Sequence, residues 1–448
     1  MGGIVEDKNQ ILEFILESPF ETILEQIDEI HPVDFLEALG EFDDDPLIIL
    51  EKLPDEYVAL LLDYAEDDEK FNLLSLFSKN RQAQIISEMS SDELVDLLGT
   101  LDEDEQNEII TNMNTEEVEE VKTLLSYDPE SAGGIMATEF ISIKETDTVN
   151  ETINYLRTMA PDSETPYYIY VVDDLDVLKG VVPLRQIIVS TPDTLIKDIM
   201  IENIISAPVD MDQEEVSHIF EKYGFMAIPV VDHNGEILGI ITVDDVMEIM
   251  KEEYTEDMFR LAGLDEEEKV AGTVIGAIKS RLPWLLVNLV TATLAAKTVS
   301  LFENTIAQIV ALATFMPMVA GMGGNAGSQT LTLIIRGIAI GEISYENQAG
   351  ILKKEIAIGI INGLCLGLVV GVLGYFWVGS LAFGFVIGTA MLLNLIVATI
   401  SGYLVPILLK KVGIDPALAS AVFVTTVTDV LGFFFFLGLA TVMLQYLI

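Results

Sequence analysis

The sequence predicts a multidomain membrane protein: a cytosolic α-solenoid N domain, a tandem pair of α/β modules, a charged connecting helix, and a five-helix all-α transmembrane domain. Three observations carry this reading. The formal charge of −50 lies entirely before residue 282, where 67 acidic residues face 17 basic ones, while the rest of the chain holds six of each. The run from Glu355 to Lys410 is free of charge between its ends and is long enough for two spans of about 20 residues each. Between these extremes one pattern of β-branched residues occurs twice, which marks an internal duplication.

Residues 1–136 read as short amphipathic helices. Their starts are signalled by His31-Pro32-Val33-Asp34, Leu53-Pro54-Asp55-Glu56, Ser91-Asp92-Glu93 and Asn114-Thr115-Glu116, each placing a capping or first-turn residue before acidic positions and an apolar stripe. The similar spacing of Pro32 to Pro54 and of Ser91 to Thr115 suggests stacked helix pairs. No catalytic constellation occurs there. In residues 137–200 and 201–258 the strings Ile169-Tyr170-Val171-Val172-Asp173 and Leu178-Lys179-Gly180-Val181-Val182 match Ile228-Pro229-Val230-Val231-Asp232 and Leu238-Gly239-Ile240-Ile241. Each copy reads as helix, strand, turn, strand, helix. The pair resembles tandem CBS domains, modules that associate in pairs and often bind adenine nucleotides or ions. Residues 247–280, rich in Glu and Asp, are expected to form one helical connector into the membrane domain, residues 281–448.

Five apolar segments are drawn at 282–302, 306–334, 356–378, 382–409 and 417–446. With the acidic half in the cytosol, five spans place Arg281, Arg336, Lys353, Lys354, Lys410 and Lys411 on the cytosolic side and the C-terminus outside. No cleavable signal is expected at the N-terminus, and the single Cys365 excludes an intrachain disulfide and a cysteine-based zinc site. The acidity argues against nucleic acid, whose phosphates need a cationic surface, and favours cations.

The second segment is expected to be interrupted by Pro317 and by Gly321, Gly323, Gly324 and Gly327. Its glycines have two readings, as backbone opened toward an ion pathway or as helix packing through the GxxxG spacing of Gly323 and Gly327. Asn325, Ser328 and Gln329 are candidates to touch the water shell of a passing ion. Asp429 stands deep in an apolar stretch with no cationic neighbour. A carboxylate there costs about 2.5–3.5 kcal/mol on insertion scales, so by default it faces a wet pathway or a partner. Thr425, four residues earlier, shares its helix face. Mg²⁺ gives up water reluctantly, and a carboxylate that accepts hydrogen bonds from a hydrated ion avoids that dehydration.

Taken together, the chain resembles the MgtE-type magnesium channels over essentially its whole length. The carrying strings are Tyr127-Asp128-Pro129-Glu130-Ser131-Ala132-Gly133-Gly134-Ile135-Met136, Arg281-Leu282-Pro283-Trp284-Leu285, the Gly-Gly-Asn-Ala-Gly-Ser-Gln run at 323–329, Asp415-Pro416-Ala417-Leu418 and Thr428-Asp429-Val430. The resemblance implies a homodimer with its pore on the two-fold axis, Asp429 of each subunit meeting hydrated Mg²⁺, and a connecting helix that acts as a plug. It also implies regulatory Mg²⁺ sites that close the pore, with Asp245, Glu248, Glu253, Glu256 and Asp257 as ligands and Glu214 as a weaker candidate. Gly224 stands where some members carry a sensor aspartate, Ala421 replaces a polar residue two turns before Asp429, and Gln186 replaces an acid that would hold a nucleotide ribose. Binding of ATP is therefore left open.

Mg²⁺ influx gated by cytosolic Mg²⁺ is the first functional reading. Transport of Co²⁺, Ni²⁺ or Zn²⁺ is a second, disfavoured because the membrane half has no histidine and one cysteine. A membrane-anchored nucleotide or ion sensor that transports nothing is a third, and such an anchor would need no Asp429. No enzyme is expected, since no nucleophile and base pair, P-loop or closed metal site emerges.

Overall fold

The computed structural model describes residues 8–448 apart from 43, 66, 103–104, 107–108, 111–112, 114, 160–164, 166, 265–267, 269, 271, 345 and 419. The chain forms two compact units, residues 1–250 and 251–448.

The first unit opens with short helices, α1 (Lys8–Glu17), α2 (Phe20–Gln26), α3 (Pro32–Gly40), α4 (Leu47–Leu50), α5 (Asp55–Asp63), α6 (Asp67–Ser75), α7 (Lys79–Ile86), α8 (Ser91–Gly99) and α9 (Thr115–Leu124). Their apolar stripes meet in one core that includes Ile15, Ile23, Phe35, Ile49, Leu61, Leu62, Ile85 and Leu97. Pro32 takes the first helical position of α3, and the His31 imidazole accepts the Val33 N–H at 3.3 Å. At α8 the capping carboxylate comes from elsewhere in the chain. Glu139 accepts the Ser91 N–H at 3.1 Å and the Ser91 hydroxyl at 2.9 Å, which supplies the acceptor a helix start requires. Asn114, expected in a start signal, lies outside the described residues.

Two three-stranded sheets follow. One is built from β1 (Ser142–Lys144), β2 (Tyr168–Val172) and β3 (Leu178–Pro183), the other from β4 (Ala207–Pro208), β5 (Ala227–Val231) and β6 (Ile237–Thr242). Each has a parallel first pair, an antiparallel second pair and a bulge at the same place, between Val171 and Val172 and between Val230 and Val231. The turns match too: Asp173 accepts the Leu175 N–H and Asp232 the Asn234 N–H, each at 2.8 Å. The duplication read from sequence is thus a duplication of backbone. Helices α10 (Val149–Met159), α11 (Leu184–Val189) and α12 (Gln213–Tyr223) complete the copies, and α13 (Val243–Ala262) starts at the end of β6.

The second unit contains α14 (Val274–Ser300), α15 (Glu303–Gln308), α16 (Ala311–Ala339), α17 (Gln348–Val378), α18 (Leu381–Val412), α19 (Ser420–Val442) and α20 (Leu444–Leu447). Four of these, α14, α17, α18 and α19, are long and apolar enough to cross a membrane. Two expectations are corrected. The connector is not one helix through 247–280: α13 ends before Gly263, whose φ of +70° suits a residue without Cβ, and α14 starts afresh where Thr273 accepts the Gly276 N–H at 3.1 Å. Nor is the second apolar segment interrupted. Helix α16 runs unbroken through Pro317 and all four glycines. Packed neighbours in a bundle tolerate such residues, and here Gly323 and Gly327 admit adjoining helices.

The closest helix pair is α17 with α18. A Cβ on Gly388 would sit 2.7 Å from the Gly367 carbonyl oxygen, and one on Gly371 would sit 2.9 Å from that of Gly384. These backbones touch because neither has a side chain between them. Replacing Gly388 with Leu is expected to force the pair apart and to reduce the yield of monodisperse protein by more than about threefold, as read by gel filtration in detergent. A normal elution profile and yield would contradict this packing.

Candidate ion pathway and acidic clusters

One face of α16 is buried in the bundle through Leu312, Phe315, Val319, Gly323, Gly327, Thr330 and Ile334. The opposite face is exposed and carries Gly321, Asn325, Ser328, Gln329 and Thr332 before Arg336, with the apolar Met318 among them and Leu333 at its edge. An apolar medium leaves such a stripe unsatisfied, so water or a second polar surface is its natural partner. The two readings of the glycines divide by position. Gly323 lies against the Asn394 side chain and Gly327 against Val424, where a Cβ would sit 2.6 Å from Cγ1, so both serve packing. Gly321 and Gly324 have open space instead.

Helix α19 packs along α16 at that point. Val424 and Thr428 are buried, and Thr428 Oγ1 donates to the Thr425 carbonyl at 2.9 Å. Thr425 is exposed and Asp429 half-buried, each one residue beyond the packed pair and so turned by one helical step toward its edge. Neither side chain has a hydrogen-bond or ion-pair partner among the described residues. Asp429 makes no bond to Asn325 or Gln329, so the candidates share a helix pair without forming a closed site. A solitary carboxylate beside polar side chains can attract a cation while leaving its water shell in place.

Two buried polar groups in this unit escaped the sequence reading. Glu355 looked like a charge flanking a span, yet it is 2 % exposed, and Thr330 Oγ1 of α16 donates to its Oε2 at 3.1 Å. Asn394 on α18 is fully buried. A lone amide inside an apolar run gives no periodic signal that separates it from a packing residue. Glu355 was findable, since it falls at helical spacing from the packing glycines 359, 363 and 367.

The expected regulatory residues fall into separate groups. In the first unit Asp245 joins Asp63, Asp92, Glu93, Glu139 and Asp244, with Lys70 as the buried cation, its Nζ 2.5 Å from Glu93. Burial raises the Asp63 carboxyl to about 7, aided by the nearby Asp92, and its Oδ1 has no hydrogen-bond partner. Burial likewise raises Glu93 to about 8 against the pull of Lys70, and Asp245 to about 7, reinforced by Asp92. Asp92 is itself raised by burial. The Thr242 hydroxyl donates to Asp245 at 2.6 Å. Glu248 is exposed on α13 outside this group, and Glu214 stands apart in the first turn of α12, where its N–H donates to Asp212 at 2.9 Å.

In the second unit Asp257 lies near both Asp415 and Glu253, and Arg260 links Glu256 to Asp415, donating to the latter at 2.6 Å. Desolvation raises Asp257 to about 6, with smaller contributions from Asp415 and Glu253. Among the described residues, no three His, Cys, Asp or Glu side chains are arranged to hold a bare metal ion. The sequence reading missed Asp63, Asp92 and Glu139 because two helices and a loop far apart in the chain bring them together.

Comparison with known proteins agrees with this architecture. The family model for the MgtE divalent cation transporter matches residues 316–439, that for the MgtE intracellular N domain residues 30–130, and that for the CBS domain residues 132–190 and 196–252. The magnesium transporter MgtE of Enterococcus faecalis is 39% identical over 329 residues, 73% of this chain and 72% of that protein. The magnesium transporter MgtE of Thermus thermophilus is 38% identical over 330 residues, 73% of each chain. A crystal structure of the soluble part of a magnesium transporter, 34% identical, matches with a TM-score of 0.52 over 55% of this chain and 97% of that one. The chain accordingly has a cytosolic N domain and CBS pair joined to apolar membrane helices, and it belongs to the MgtE family of transporters.

Proposed function

We propose that this protein conducts Mg²⁺ into the cell along a pathway bordered by the polar face of α16 and by Asp429 and Thr425 on α19, and that cytosolic Mg²⁺ closes it. The observation that carries the reading is Asp429, a carboxylate without a partner among the described residues on an otherwise uncharged helix, beside a helix whose exposed face carries Asn325, Ser328 and Gln329. The relatives it matches are named magnesium transporters. In this reading Asn325, Gln329 and the open Gly324 touch the water shell, while Gly323 holds the helices close. Two copies of the chain complete the conduit, each contributing one Asp429. With α16 counted as a fifth span, the positively charged loop ends favour the first unit in the cytosol and the C-terminus outside.

Regulation follows from charge. With 67 acidic residues before residue 282, the cytosolic half repels itself when divalent counterions are scarce and compacts when Mg²⁺ neutralises it. Asp245 acts with Asp63 and Asp92 in the first unit, and Glu253, Glu256 and Asp257 act with Asp415 in the second. Glu248 and Glu214 contribute as exposed carboxylates.

Competitive uptake by purified protein in proteoliposomes tests the transport reading. Mg²⁺ is expected to displace Co²⁺ and Ni²⁺ at matched concentration, and millimolar Mg²⁺ on the side of the acidic half is expected to suppress flux by about tenfold or more. Equal uptake of all three ions would favour a general divalent carrier, and absence of flux a sensor.

A further inference from the structure

Among the described residues, two buried side-chain atoms of the membrane half lack a hydrogen-bond partner, Glu355 Oε1 and Asn394 Oδ1. Asn394 is the more telling because of where it sits. Its Nδ2 donates to the Val319 carbonyl of α16 at 2.8 Å. Gly323, one turn further along α16, faces the same amide so closely that a Cβ would overlap it. On its other flank lies Gly432 of α19, where a Cβ would stand 2.7 Å from Nδ2 and 2.9 Å from Oδ1. The amide thus fills a slot opened by two glycines, one on each of the helices assigned to the pathway.

A leucine has the same branching and would fill this slot without leaving an oxygen unsatisfied in an apolar interior. Retaining an amide at that disadvantage calls for an explanation beyond packing. The neighbours supply one. Gly432 is three residues from Asp429, and Gly323 is two residues from Asn325. Any change in how α18 holds these glycines moves the carboxylate and the polar face relative to each other.

We propose that Asn394 is a positioning residue for ion selection. Wedged from α18 between Gly323 and Gly432 and tied to the Val319 carbonyl, its amide sets the separation of α16 and α19, and with it the size of hydrated ion that Asp429 accepts. The inference rests on the pathway assignment above.

The test uses full-length protein in proteoliposomes and reads initial uptake of Mg²⁺ and of the larger, more readily dehydrated Ca²⁺. Asn394→Leu keeps the branching, is bulkier, and removes the tie to Val319, and it is expected to shift the Ca²⁺ to Mg²⁺ uptake ratio by about fivefold or more. Gly432→Ala is expected to lower Mg²⁺ uptake by about tenfold, and adding Asn394→Ala to it to restore most of the loss, since the amide is what the new methyl meets. A parental ratio in folded Asn394→Leu overturns the proposal, as does a Gly432→Ala defect that Asn394→Ala leaves unchanged. If Asn394→Leu does not elute as folded protein, the reciprocal pair decides alone. The pathway assignment fails separately, through undiminished Mg²⁺ uptake by Asp429→Ala; a parental ratio in Asn394→Leu with that variant inactive sinks only the role of Asn394.

Discussion

Asp429→Ala is expected to abolish Mg²⁺-dependent growth of a transport-deficient host and to lower uptake into proteoliposomes by more than about a hundredfold. The size follows from Coulomb's law: a divalent ion about 5 Å from a carboxylate gains close to 2 kcal/mol even at the dielectric constant of water, and more in a narrow conduit. That is over tenfold for each carboxylate, and the two copies of the chain in the proposed conduit bring two. Loss of folding is a poor explanation for such a defect, because removing an unpartnered carboxylate from an apolar helix relieves an insertion cost. The variant should therefore elute and melt like the parent or better. Asp429→Asn keeps the shape and loses the charge, and it should share most of the defect. Growth rescued by Asp429→Ala would remove the carboxylate from the mechanism.

A second large effect concerns pH and divalent ions in the cytosolic half. Burial holds Asp63 and Asp245 at about 7 and Glu93 at about 8, against ordinary values of 3.8 for aspartate and 4.5 for glutamate. The folded state therefore keeps protons that the unfolded chain has released. The stability these groups contribute is complete below about pH 4 and is lost as pH rises through the folded values toward pH 8. A single independent group raised by three units corresponds to about 4 kcal/mol. Melting of the cytosolic half without divalents is thus expected to fall by about 10 °C between pH 5 and pH 8. Adding 10 mM Mg²⁺, about the upper end of such a titration, should recover most of the loss at pH 8 and little at pH 5, where protons already neutralise the cluster. Asp92→Asn, which removes the charge common to its neighbours, should flatten the profile. A melting temperature that rises with pH in magnesium-free buffer would refute this account.

What the sequence disclosed depended on the range over which each signal acts. The duplicated strands were visible because Asp173 and Asp232 begin the same turn in two nearly identical strings, a local pattern needing no tertiary partner. The apolar spans were visible because membrane insertion imposes length and composition on each helix singly. Asp429 stood out by contrast with its surroundings. The acidic cluster did not, because Asp63, Asp92 and Glu139 are unremarkable among 73 acidic residues until folding buries them together. The interruption expected at Pro317 was wrong for a related reason. Proline and glycine weaken an isolated helix, but packing against Asn394 and Val424 keeps α16 whole. The single connector helix failed at Gly263, an interior glycine whose positive φ is invisible without coordinates.

That break has a mechanical corollary. Helix α13 ends at Ala262 and α14 begins at Val274, so the two do not form one continuous rod. The grip of Arg260 on Asp415 offers a bypass: it anchors the last turn of α13 five residues ahead of the helix that bears Asp429. A displacement of the end of α13 would reach the root of that helix through a single guanidinium.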